Sequence, residues 1–256
     1  MQKIEEILNN FSCIASLAPA WKAEFPNILE KDFICALKAL GFWQVSQTEL
    51  GVPLVVAKSL NALFNAQNNE TCKSNFNNLH IVSACPMAVK YIKNNFSDMA
   101  KNLAENTSPI VAHAEFLKSI YGKNVKVIFI GACSSKREEA KNCPNIEESI
   151  SFKTLRELFK KHKIDFSKIK GENCSFVPFK FFANNENTKP SFDGGVSKAV
   201  LEYEMPVKSL AVSGIKEIAN IMEDFRNKKI DLKNPLLLTV LACPGGCLKS
   251  KEITKM

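Results

Sequence analysis

A chain of 256 residues with 46% hydrophobic content can bury a sizeable core, as one large domain or two small lobes. No run of about 18 apolar residues occurs, so no membrane-spanning helix is expected. The net charge of +8 rests on dispersed lysines, with short groups only at 160-KKHK-163 and in the tail 249-KSKEITKM-256. That spread reads as a solvated lysine-rich surface, so neither nucleic acid nor membrane is expected as a partner.

The N-terminus, MQKIEEILNNF, is amphipathic and acidic rather than charged-then-apolar, which points to a cytoplasmic protein. In that compartment disulfides are not expected among the nine cysteines. Clustered cysteines then mean metal or redox chemistry, and scattered ones pack as small hydrophobes.

In chain order, the first elements predicted are a strand at 12–17, a helix at 27–40, a strand at 42–47 and a helix at 50–66. A strand at 79–84, helices at 86–103 and 109–122, and a strand at 125–132 follow. A helix then opens at 133-CSSKREEA-140, with another at 152–164. An irregular stretch at 170–195 precedes a strand at 209–214, a helix at 214–229 and a strand at 236–242. The strands are apolar throughout, as in parallel sheets covered on both faces. Their alternation with helices predicts an α/β architecture.

Three of these strands end in cysteine. Cys85 follows 79-LHIVSA-84, Cys133 follows 125-VKVIFIGA-132, and Cys243 follows 236-LLLTVLA-242 with Cys247 just beyond. Ligands of open α/β sheets bind beyond the carboxyl ends of the strands. Helix N-termini there present N–H groups and a positive dipole end to thiolates or anionic cofactors. Pro86 suits a first helical turn, where its missing N–H is not needed. Four thiols converging in one crevice fit an iron–sulfur cluster. Zinc is a second possibility, although its structural sites use paired knuckles, and unrelated buried cysteines are a third. Cys13, Cys35, Cys72, Cys143 and Cys174 show no paired spacing and are expected as core or surface thiols.

The segments 83-SACPMAV-89, 131-GACSSKREEA-140 and 242-ACPGGCL-248 resemble, in order, the three signatures of the iron-only (FeFe) hydrogenase catalytic domain. Those signatures run S-C-C-P, M-P-C-x-x-K-x-x-E and A-C-P-G-G-C. The segments 18-APA-20, 107-TSP-109 and 191-SFDGGV-196 add to the resemblance, which covers essentially the whole chain as a single domain, 1–256. It implies two lobes of mostly parallel sheet flanked by helices, with a cluster in the cleft between them.

The resemblance also implies the H-cluster, a 4Fe–4S cubane joined to a diiron subcluster carrying CO, cyanide and a bridging dithiolate. By motif, Cys85, Cys133, Cys243 and Cys247 would hold the cubane, and Cys247 would bridge to the diiron unit. Lys136 would hydrogen-bond one cyanide, a role suited to a point-charge donor. Pro19 and Ala20 would lie against the other, Ser108 and Pro109 would line the diiron pocket, and Gly245 and Gly246 would admit the cluster close to backbone.

Departures accompany the resemblance. Ala84 stands where a proton-passing cysteine is usual, the pathway serine falls at Ala104, and its acidic partners fall near Val55 and Lys58. Glu139 is the relay acid that remains. Gly131 replaces a methionine, Ile110 replaces a glutamine, and the glycine run expected after the third motif is replaced by LKSKEITKM. The pattern is similar to the divergent, sensory branch of the family. His113 is either an alternative proton donor, since imidazole titrates near neutrality, or a packed helix histidine.

The expectation is therefore a minimal FeFe hydrogenase interconverting H2 with protons and electrons. Maturation proteins would load it. No ferredoxin module is seen before the motifs, so electrons would come from ferredoxin or a similar acidic carrier. An H2-sensing protein with little turnover, and a non-catalytic 4Fe–4S protein similar to iron–sulfur assembly factors, are the alternatives.

Overall fold

The structure, a computed structural model, describes residues 2–68, 76, 78–104, 108–169, 174–178 and 207–247. Of the expected features, Cys72, 191-SFDGGV-196 and the tail lie outside these residues. In chain order come α1 (Gln2–Asn10), β1 (Cys13–Leu17), α2 (Trp21–Glu24), α3 (Glu30–Ala39) and β2 (Gln44–Gln47). A 3-10 turn (Thr48–Leu50), α4 (Gly51–Asn68), β3 (Leu79–Val82), α5 (Pro86–Asn95) and a second 3-10 turn (Ala100–Asn102) follow. Then come α6 (Pro109–Tyr121), β4 (Lys126–Ile130), α7 (Ser134–Lys141), β5 (Glu148–Ile150) and α8 (Phe152–Lys161). The last elements are β6 (Lys208–Ser213), α9 (Ile215–Arg226) and β7 (Leu236–Leu241). This is an α/β fold, as expected, in two compact units: 1–51 with 110–182 and 252–256, and 52–109 with 183–251.

The first unit holds a four-stranded sheet in the order β2-β1-β4-β5, parallel throughout. Parallel strands cannot be joined by tight hairpins, which is why helices intervene between them. On one face Ile14, Val127 and Phe129 pack with Ile110, Ala114 and Leu117 of α6. An aromatic cluster also builds this unit, with Trp21 stacked on Phe33 at 4.6 Å and Phe25 at 4.8 Å from the same ring. Phe152 and Phe159 of α8 meet Phe25 edge-on, geometry that the ring quadrupole favours. Ser151 caps α8 by accepting the Thr154 N–H at 3.0 Å.

The second unit holds β3-β7-β6, also parallel. Ile81, Leu238 and Val240 pack with Ala88 and Ile92 of α5 and with Met222 and Phe225 of α9. Gly214 opens α9 at φ 106°, a backbone conformation that residues with a Cβ rarely adopt.

Two elements differ from expectation. The helix from Pro86 stops at Asn95, because Asp98 pairs with Arg226 of α9 at 2.8 Å and the chain then turns back to lie beside β3. There Leu103 bridges Ile81, and the Ala104 N–H donates to the Ile81 carbonyl at 2.8 Å. β5 is too short to show periodicity and owes its form to pairing with β4.

One expectation is overturned. Cys35 of α3 and Cys174 form a disulfide, with Cα atoms 5.5 Å apart and a sequence separation of 139. Residues 174–178 run along the β2 edge, where the Val177 N–H donates to the Val45 carbonyl at 2.9 Å and Phe176 is buried. Tertiary placement, invisible in spacing, brings the two sulfurs together. Cys13 and Cys143 are buried thiols, as expected, and burial pushes Cys13 up to about 11 and Cys143 upward.

Candidate metal centre

In the second unit, Val82 of β3 and Thr239 of β7 are register partners, so the two strands leave the sheet at the same edge. Cys85 lies just past β3 and caps α5, with Pro86 in the first turn and the Val89 N–H on the Cys85 carbonyl at 3.0 Å. Cys243 lies just past β7 and opens a tight turn, in which the Gly246 N–H donates to the Cys243 carbonyl at 3.1 Å. Gly245 and Gly246 take φ of 72° and 91°, which residues with a Cβ rarely adopt. The Gly245 N–H also donates to Ser213 Oγ at 3.0 Å, tying the turn to the end of β6. Cys247 closes the turn and packs against the apolar core that contains Cys85. One sheet edge thus carries three of the four expected thiols.

Cys133 holds the matching place in the first unit. It caps α7, directly beyond β4, with the Arg137 N–H on its carbonyl at 3.1 Å. The Arg137 guanidinium reaches back to the carbonyls of Gly131 at 3.0 Å and of Ala132. It therefore pins the strand exit that delivers the cysteine, a role the sequence reading missed. Lys136 and Glu139 sit half-buried on the same helix.

Pro19 and Ala20 follow β1 beside that exit. The Ala18 N–H donates to the Ile130 carbonyl at 2.9 Å, and the Trp21 N–H returns to the Ala18 carbonyl at 3.1 Å. A Cβ on Gly131 would stand 2.6 Å from Phe129 Cζ and 3.3 Å from Ala18 Cβ. The family's methionine has no room here because the Phe129 ring fills its place.

His113 of α6 is fully buried. Its Nδ1 lies 2.8 Å from Ser16 Oγ and its Nε2 lies 2.9 Å from Ser46 Oγ, while Ser16 Oγ meets Thr48 Oγ1 at 2.9 Å. Among the described residues this chain of hydrogen bonds runs from Thr48 through Ser16 and His113 to Ser46. Burial pushes the ring's pKa down to about 3, so it is neutral at ordinary pH. Of the two expectations for His113, this geometry fits the packed histidine. The signal for its partners was a serine inside each of two buried strands, CIASL and QVSQ.

In the second unit Ala84, Ala104 and Val55 are buried apolar side chains, and Lys58 is exposed on α4. The three apolar side chains cannot carry a proton. Ser108 and Pro109, at the start of α6, are buried.

Among the described residues, no three His, Cys, Asp or Glu side chains stand together as ligands of one metal ion. Ligands of a cubane sit on separate irons and stand farther apart than those of a single ion. The donor set suits a cluster: thiols only, with Cys85 and Cys133 each at the N-cap of a helix.

Residues 12–207 match the family described as "Iron only hydrogenase large subunit, C-terminal domain". The chain is 23% identical over 302 residues to Iron hydrogenase 1 of Clostridium pasteurianum, covering 97% of this chain and 51% of that one. It thus spans about half the length of that curated relative. Among solved structures, it is similar at TM-score 0.74 and 15% identity to a FeFe-hydrogenase studied for oxygen inactivation through its H cluster 2Fe subcluster, covering 98% of this chain and 83% of that one. A variant of the FeFe-hydrogenase HydA1 from Chlamydomonas reinhardtii is similar at TM-score 0.70 and 15% identity, covering 99% and 86%. At such identities the likeness establishes the shared fold. No described helix is long and apolar enough to cross a membrane.

Proposed function

The chain belongs to the iron-only hydrogenase large-subunit family, and from that premise we propose that it is a minimal FeFe hydrogenase interconverting H2 with protons and electrons. The observation that carries the reading is the placement of Cys85, Cys133, Cys243 and Cys247, each just beyond a strand or in the glycine turn that follows one. Cys85, Cys133, Cys243 and Cys247 would hold the 4Fe–4S cubane, with Cys247 shared with the diiron subcluster. When bound, the H-cluster supplies the electron transfer and the H2-activating chemistry.

The chain's own groups have narrower tasks. Lys136, in the first turn of α7 that Cys133 caps, would donate a hydrogen bond to a cyanide ligand of the bound cluster. Gly245 and Gly246 leave the turn without side chains, so backbone can approach the cluster. By the family resemblance, Pro19, Ala20, Ser108 and Pro109 would line the diiron subcluster, and Glu139 would be the remaining relay acid. Because Ala84 and Ala104 hold no exchangeable side-chain proton, turnover is slow. That absence also favours the second reading, a protein that senses H2 with little turnover.

Electrons come from ferredoxin or a similar acidic carrier, steered by the net charge of +8. A rate of reduction by ferredoxin that ignores ionic strength would contradict this steering. The decisive test is loading of the protein by maturation proteins under anaerobic conditions, followed by infrared spectroscopy and H2 assay. Bands of iron-bound CO and cyanide with slow H2 evolution are expected. Cubane absorption without those bands would leave a non-catalytic 4Fe–4S protein.

A further inference from the structure

We propose that His113 is a positioning residue whose neutral ring fixes the turn Ala18–Ala20 through Ser16. Ser16 of β1 and Ser46 of β2 are register partners on adjacent parallel strands, with both hydroxyls on the α6 face. One imidazole has a nitrogen at each end of this pair, at 2.8 Å and 2.9 Å. A neutral imidazole has one donor and one acceptor, and a serine hydroxyl can be either, so both contacts are satisfied in either tautomer. An apolar side chain could fill the same volume, but it would leave two buried strand hydroxyls without the ring. Ser16, Ser46 and His113 are each at most 1% exposed, so water has no access to replace it.

From Ser16 the chain reaches the turn in two residues. There the Ala18 N–H holds the Ile130 carbonyl, Ala18 Cβ lies against Gly131, and the Ala20 carbonyl accepts from Ala23 and Glu24 at 3.1 Å. The ring thus sets the height of β1 at its exit, and the turn inherits that height. Its functional meaning rests on the reading that this turn lines the diiron pocket.

The test uses hydrogen exchange on the apoprotein, which needs no cluster. His113→Asn keeps a polar group where Nδ1 stands and so keeps Ser16; His113→Gln reaches only toward Ser46. In His113→Gln and Ser16→Ala, the Ala18 and Trp21 amides should exchange about tenfold faster. His113→Asn should restore their protection, and Ser46→Ala should leave them at the wild-type rate. Equal exchange in the Asn and Gln variants, or acceleration spread over the whole sheet, would overturn the proposal and leave His113 as core filling. In loaded protein, His113→Gln should also shift a cyanide infrared band while His113→Asn does not. If the wild type shows no such bands, the hydrogenase reading fails, yet the exchange result still decides the positioning role.

Discussion

Mild acid should loosen this protein through one ring. His113 has its pKa lowered from 6.5 to about 3 by burial, so the folded state binds fewer protons than the unfolded state between those values. Stability from this group is therefore complete above pH 6.5, falls as pH drops toward 3, and levels off below. Each pKa unit is worth about 1.4 kcal/mol, so the loss is roughly 2 kcal/mol at pH 5. For a chain of this size that corresponds to about 4–8 °C in Tm. Urea unfolding and thermal melts at intervals from pH 7.5 to 5.0 would measure it, with His113→Gln as the control. The variant starts less stable but should lose its stability more slowly with acid. His80, also lowered by desolvation, adds to the same trend in both proteins and cancels in the comparison. Parallel slopes for wild type and His113→Gln would refute the assignment of a neutral buried ring. Carboxylates held low by cations, such as Asp98 beside Arg226, act only near and below pH 4 and do not confuse this window.

Other outcomes follow from particular contacts. Ala84→Cys, restoring a proton-passing thiol, should raise H2 evolution of the loaded enzyme by at least about tenfold; an unchanged rate would mean that protons take another route. Gly131→Met should cost about 1–3 kcal/mol in a melt, because the new side chain meets the Phe129 ring, and adding Phe129→Ala should recover part of it. Additive losses would show that the two positions do not compete for space. Cys35→Ser should lose up to about 5 kcal/mol against the oxidised wild type, since the bridge closes a very long loop. A dithiol reductant should bring the wild type to the same level, and indifference to reductant would deny the bridge.

Much of the scaffold was readable from residues alone, because strands buried on both faces must be apolar at every position. 79-LHIVSA-84 and 236-LLLTVLA-242 announced themselves in this way, and so did the cysteines that end them. β5, with the sequence ESI, has no such signature and becomes a strand only by lying next to β4. The helix from Pro86 looked continuous to residue 103 because nothing local shows that Asp98 is claimed by an arginine 128 residues further on. His113 was ambiguous for the same reason: its meaning lies in the register of Ser16 with Ser46, a property of two strands and a helix together. The motifs single out four thiols by resemblance, while the bridge between Cys35 and Cys174 depended on a segment's path over the β2 edge.

The hydrogen bond from Gly245 to Ser213 carries a consequence for how such sites decay. Ser213 belongs to no signature, yet its hydroxyl anchors the turn between two expected ligands. If the thiols hold a cluster as proposed, a related chain can keep every cysteine and both glycines, pass any inspection by motif, and still hold this turn less firmly through drift at a single serine. Retention of the ligands is then a record of ancestry, and retention of the serine is the better witness to present use.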